Sequence, residues 1–286
     1  PLSCTWILAG YFRSNNLQFL ANFSENGVFQ FILIFLLYFL PKTELYLWGS
    51  YFTLSFLSFV FLSLFSLIRY GLHLKVSFVN CFHNLKLGFK IMSSSLLSFL
   101  ILNSPIYIAG LINSVNDITL YNVCLKVSLV INIGVAIFNS FYSPKYSKLY
   151  SNRDFSSLKK EYDHARWALI VFSTIPLILV LVFSNFILET FSLECGANNI
   201  TILRCFVFCQ FLCVSTGTTG VFLNIVDKES ILQRNTLIGL SVSLLFSVSF
   251  VYISNIFAMV GMFAVGVLLE NFLSYFSVKK FFDEKM

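Results

Sequence analysis

The sequence predicts an all-α, polytopic transmembrane helical bundle, and three observations predict it. Of 286 residues, 57% are hydrophobic. Only 11% are charged, against about 25% in an ordinary soluble domain. The mean hydropathy is +0.82, and the apolar residues gather into recurring runs. The 19 Lys and Arg with 13 Asp and Glu are too few to cover a globule of this size, which excludes a soluble enzyme. Helices satisfy their own backbone groups in hydrocarbon, so a bundle of spans is the class that remains.

A span needs about 20 apolar residues to cross about 30 Å of hydrocarbon at about 1.5 Å each. Eight runs qualify. The first, Phe23–Leu40, holds Glu25 and Asn26 and is closed by Pro41. The second is Leu45–Ile68, and the third, Ile91–Ile112, contains Pro105. The fourth, Leu120–Tyr142, ends at Ser143-Pro144-Lys145, where proline is expected to stop the helix. The fifth, Trp167–Phe191, opens on an interfacial Trp and contains Pro176. The sixth, Ile200–Val226, includes the polar stretch Thr216-Gly217-Thr218-Thr219-Gly220. Thr236–Ser254 and Phe257–Val278 complete the set.

Loop charges test this count, because cytoplasmic loops collect Lys and Arg. Arg69, Lys75, Lys86 and Lys90 follow the second run; Lys145, Lys148, Arg153, Lys159, Lys160 and Arg166 follow the fourth. Lys228 and Arg234 follow the sixth, Lys279, Lys280 and Lys285 lie in the tail, and Arg13 precedes the first. The intervening connections hold only Lys42, beside Glu44, Asp117 and Glu194. Sixteen basic residues on alternate loops and the termini against one on the intervening connections, with Lys126 and Arg204 inside spans, predict eight spans and a cytoplasmic C-terminus. A formal charge of +6 therefore points to membrane orientation and not to nucleic acid.

Two of the basic loops carry patterns. Phe78, Val79, Phe82, Leu85 and Phe89 recur at helical spacing, which predicts an amphipathic helix on the membrane surface joining two bundles. Phe155, Leu158 and Tyr162 mark a short helical turn leading into Trp167, and a solvated basic loop explains that stretch equally well. The chain begins at Pro1 without a signal-peptide pattern, as the middle of a longer protein would. Seven cysteines, an odd number mostly in apolar runs, require no disulfide framework.

Motifs for chemistry are absent: the chain has no GxSxG, HExxH, CxxC or phosphate-binding glycine loop. Cys205, Cys209 and Cys213 share one helix face, but His73, His83 and His164 lie in remote loops, so packing explains the cysteines better than a metal. The chain is expected not to be an enzyme and to carry no cofactor. Ionisable groups inside spans are the remaining candidates. Arg204 lies about 6 Å and Lys126 about 9 Å from a helix end, near enough to snorkel. Glu270 is about 12 Å or more from both ends of its span. It is the first candidate for a substrate or ion pathway, in competition with a protonated Glu in a helix–helix hydrogen bond. Pro105, Pro176, Gly217 and Gly220 are hinge candidates, because broken helices survive in lipid only beside a cavity or a neighbouring helix. Close packing of small residues accounts for the glycines as well.

These residues also carry a resemblance. Trp6-Ile-Leu-Ala-Gly10 with Arg13, Tyr121 with Lys126, Ser143-Pro144 with Ser147 and Leu149, Pro176, Gln210 with Gly217 and Leu223, Arg234, and Gly261 with Ala264 and Glu270 stand in the order and spacing of one family. The chain resembles the polysaccharide exporters, in particular the O-antigen and lipid-linked oligosaccharide flippases of the multidrug/oligosaccharidyl-lipid/polysaccharide superfamily. It departs from the pattern at Tyr11, at Phe191-Ser192 and at Asp227.

The resemblance implies a two-lobed exporter of twelve helices with the first four missing. Residues 1–68 would complete the N-terminal lobe, 69–90 form the amphipathic linker, and 91–286 form the six-helix C-terminal lobe with its tail. The implied activity is flipping an undecaprenyl-diphosphate-linked oligosaccharide, an O-antigen unit of lipopolysaccharide or a similar repeat, across a bacterial inner membrane by alternating access. Lys126 and Arg204 would attract anionic groups, Gln210 would line the path, and Glu270 would couple H⁺ or Na⁺ or close the lobes. The implied partners are the lipid-linked oligosaccharide, membrane lipids and other polysaccharide-assembly proteins. Three rivals remain: a drug or toxin extruder of the same superfamily, a membrane-embedded polysaccharide polymerase or ligase, and a bundle that scaffolds other proteins. A polymerase would need a large outward loop, and the outward connections here are a few residues long.

Overall fold

A computed structural model describes residues 78–109, 115–191, 193, 195–253 and 256–286, with helical positions 53, 54, 56, 57, 60 and 61. The chain divides into two compact units, Pro1–Phe78 and Val79–Met286. The expected first span, most of the second and the Trp6–Gly10 stretch lie outside the described residues.

From Phe78 onward the described residues are helical apart from short connections. Helix α1 spans Phe78–Ala109. Then come α2, Val115–Ser128, a 3-10 turn, Leu129–Asn132, and α3, Ile133–Ser151. Helix α4 spans Phe155–Val182 and α5 Ser184–Thr190. Helices α6, Ala197–Ser215, and α7, Thr219–Ile225, are followed by α8, Glu229–Ile253, and α9, Ile256–Lys285. Among the described residues four helical stretches are long and apolar enough to cross a membrane: Asn116–Ser151, Phe155–Val182, Ala197–Ile225 and Ile256–Lys285, with a shorter apolar helix at Met92–Ile108. The fold is an all-α, polytopic transmembrane bundle.

Several boundaries differ from the sequence expectation. The predicted surface helix and third span are one continuous helix, α1. Pro144 does not stop α3, which continues to Ser151. A proline inside a helix costs about 3 kcal/mol, but burial of Tyr142 and Tyr146 on the same face offsets it at about 1.5–3 kcal/mol per large apolar side chain. The Asn116–Ser151 stretch has 36 residues, about 54 Å of helix, well beyond the about 30 Å of a bilayer core. Its basic end therefore projects from the hydrocarbon.

The expected basic loop after it is a three-residue turn. Arg153 has φ 57°, and Asp154 caps α4 by accepting the Ser157 amide at 3.0 Å and the Ser156 hydroxyl at 3.0 Å. Those bonds, the Ser157 amide first, hold the Asp154 carboxyl below the usual carboxylate range. A depressed folded-state pKa means that the cap acts at neutral pH and is lost as pH falls through that lowered value. Asp154→Ala should lower the amide protection factors of Ser157 and Leu158 at neutral pH, and acidification of the unmutated protein should lower the same protection factors, each taken against the intrinsic exchange rate at its own pH.

Two buried clusters hold the unit together. One, in the apolar part of the bundle, includes Tyr121, Leu203, Phe206, Met259 and Phe263; Phe206 meets Tyr121 edge-on at 5.0 Å and Phe263 at 4.7 Å. The other lies at the basic end and is mostly aromatic: Tyr146, Tyr162, Phe222, Phe281 and Phe282. Phe222 is its hub, 5.0 Å from Tyr162 and 5.2 Å from Phe282. There Lys145 pairs with Glu161 at 3.6 Å, tying α3 to α4.

Helices α8 and α9 approach closely, because glycine faces the partner on each side. A Cβ at Gly239 would lie 2.8 Å from the Gly266 carbonyl oxygen, and one at Gly266 would lie 2.9 Å from Ser243 Cβ. Gly239→Val should force these backbones apart at a cost of about 1–3 kcal/mol, read as a lower melting temperature in detergent.

Candidate transport site at a broken helix

Glu270 lies mid-way along α9, one turn beyond Gly266. The bare Gly239 on α8 lets it approach: a Cβ there would lie 3.3 Å from Glu270 Cβ. The carboxyl group then reaches two other helices. Its Oε1 accepts from Ser98 Oγ of α1 at 2.7 Å and from Thr236 Oγ1 of α8 at 2.9 Å. A single carboxylate thus joins three helices.

Opposite it, the sixth predicted span breaks between Ser215 and Thr219. Gly217 takes φ +89°, a left-handed conformation that glycine adopts without steric penalty at a helix C-terminus. The break exposes carbonyls that water would satisfy elsewhere. Here side chains do so: Arg166 Nε donates to Ser215 O at 2.8 Å, and Tyr162 OH donates to Thr216 O at 3.0 Å. The Tyr146 and Thr218 hydroxyls are 3.2 Å apart. Arg166 Nη1 also donates to Tyr275 OH of α9 at 2.7 Å, so α4 clamps both the break and the helix that carries Glu270.

Between the break and Glu270 lie two adjoining cavities of about 280 Å³ and about 400 Å³, sharing Ser98, Val135, Asn139, Gly217, Glu270 and Asn271. The first extends to Thr218, Gly220, Asn224 and Thr236. The second extends to Asn132, Gln210 and Cys213. Gln210 is buried, and its Oε1 accepts from Asn132 Nδ2 at 3.3 Å. Asn139 Oδ1 and Asn224 Oδ1 are buried without a hydrogen-bond partner.

Of the residues singled out from the sequence, Glu270, Gln210, Gly217 and Gly220 are brought together here. Lys126 is exposed on α2, and Arg204 is exposed on α6 with Nη2 3.5 Å from Ser184 Oγ. Neither lines either of these two cavities. Pro105 and Pro176 stand inside α1 and α4, which continue through them. The breaks occur instead at Phe183 and at residues 216–218. Cys205 is exposed, Cys209 half-buried and Cys213 buried. Among the described residues no three His, Cys, Asp or Glu gather as a metal set would require.

Sequence reasoning missed the amides and the clamp. Asn132, Asn139, Asn224 and Asn271 are polar residues within apolar runs, a signal that was present but is weaker than charge. Arg166 counted as a loop cation, and nothing local distinguishes it from Lys160. The architecture is that of a membrane-embedded, multi-span helical protein, consistent with a transport-type function. No family model matches the chain, and no curated protein matches it.

Proposed function

We propose that the chain is the larger part of a two-lobed, twelve-helix exporter that flips an undecaprenyl-diphosphate-linked oligosaccharide across a bacterial inner membrane, with its C-terminus cytoplasmic and without enzymatic chemistry. One observation carries the reading: a polar cavity within an apolar bundle, bounded by a broken helix and a carboxylate held between three helices. Discontinuous helices and buried ionisable groups mark transport paths in membranes. The ordered motifs from Trp6 to Glu270 supply the oligosaccharide-lipid part of the reading. On it, Glu270 couples cargo movement to H⁺ or Na⁺, Gln210 lines the path, and Gly217 with Gly220 permits the rocking of helices. Lys126 and Arg204, on the exterior, draw anionic groups toward the path.

The test uses the full-length protein in vesicles containing a fluorescent prenyl-diphosphate oligosaccharide. Labelled sugar should become protected from an external glycosidase faster than in protein-free vesicles. Equal rates would overturn the flippase reading. Efflux of a cationic dye by the same vesicles would favour an extruder instead.

A further inference from the structure

The two cavities share a chemical bias. Their described lining offers a carboxylate, amides and hydroxyls, and no Lys, Arg or His. Arg166, close to Gly217, directs its guanidinium to Ser215 O and Tyr275 OH. Ser98 and Thr236 both donate to the same carboxylate oxygen of Glu270, which leaves Oε2 without a donor from either. The volumes fall within or close to the about 300–1,000 Å³ of small-molecule sites.

We infer that this is an acceptor site for a hydroxyl- or amine-bearing sugar unit, and that it excludes anionic groups, so the diphosphate of the cargo is held elsewhere. This rests on the oligosaccharide reading above and deepens it. Hydroxyls of a neutral sugar donate to Glu270 and pair with the amides and hydroxyls of the lining, and an amino substituent gains further from the carboxyl group. A carboxylate-bearing sugar meets the Glu270 carboxyl group with no Lys, Arg or His among the described lining residues, and burying an unpaired charge is strongly unfavourable.

The experiment compares three fluorescent prenyl-diphosphate disaccharides, identical except for a hydroxymethyl, an amine or a carboxylate on the distal sugar. Each is titrated against the full-length protein in nanodiscs. The neutral and amino probes should bind at least about tenfold tighter than the acidic one, a difference of about 1.4 kcal/mol. Glu270→Gln should shrink that ratio to about threefold or less, and Asn224→Asp, which adds a second carboxylate, should widen it, in the sense expected for like charges. Equal binding of all three probes by the unmutated protein, or a ratio unmoved by both substitutions, would overturn the inference while leaving the flippase reading standing. Binding of none of them would remove both.

Discussion

Glu270→Ala should abolish transport, lowering the rate in vesicles by about a hundredfold or more, the equivalent of about 2.7 kcal/mol at about 1.36 kcal/mol per tenfold in rate. The size follows from what the carboxylate does. It ends two hydrogen bonds, from Ser98 and Thr236, which tie α1 and α8 to α9. Truncation leaves both hydroxyls without that acceptor and removes the carboxyl group from the cavity, and a buried polar group left unsatisfied costs about 1–3 kcal/mol. Glu270→Gln separates the two effects, because an amide oxygen still accepts from Ser98 and Thr236 but carries no charge and takes up no proton. If Glu270 is the coupling group, Gln should retain the thermal stability and lose ion dependence of transport together with most of its rate. Transport by the Gln variant at the unmutated rate, with its ion dependence intact, would reduce Glu270 to a structural hydrogen-bond acceptor.

Glu270 illustrates what a sequence discloses in a membrane protein. Hydrocarbon makes charge costly, so a lone carboxylate deep in an apolar run stands out by arithmetic alone. Gly217 stood out for a related reason, because polar and flexible residues are out of place inside a span. The same reasoning located the apolar runs that became α2 through α9, since their length is set by bilayer thickness. It failed where the deciding contact is long-range. Pro144 reads locally as a stop, but Tyr146 two residues on is fully buried against Phe222 and Tyr162, and that packing carries α3 through. The stretch after residues 152–154 reads equally well as a solvated loop, because Phe155, Leu158 and Tyr162 mark only a short helical turn with Lys159 and Lys160 inside it; Leu158 and Tyr162 are in fact buried. Lys126 and Arg204 have the same charge anomaly as Glu270 and yet face outward. Depth along a helix was readable, and rotation about its axis was not.

Arg166 shows the limit most clearly and carries the second large effect. Its Nε and Nη1 bond the Ser215 carbonyl and the Tyr275 hydroxyl, and its Cζ lies 4.5 Å from the Tyr275 ring centre. Arg166→Ala deletes a cation that satisfies a broken helix end, so the cost should reach about 3 kcal/mol, the upper part of the range for hydrogen bonds to a charged group. Lysine should not rescue it, since one ammonium cannot reproduce the guanidinium fork. Gly217→Ala acts on the same joint from the other side. It imposes a left-handed conformation on alanine, about 1–2 kcal/mol, and places a Cβ 3.2 Å from Arg166 Cβ and Cγ. Removing the arginine side chain beyond Cβ relieves part of that crowding. Melting temperatures of the two single variants and the double variant should therefore be non-additive, the double being less destabilised than the sum. Additive losses would mean that Arg166 and Gly217 do not form one joint, and that the clamp on the break resides in Tyr162 and Tyr146 instead.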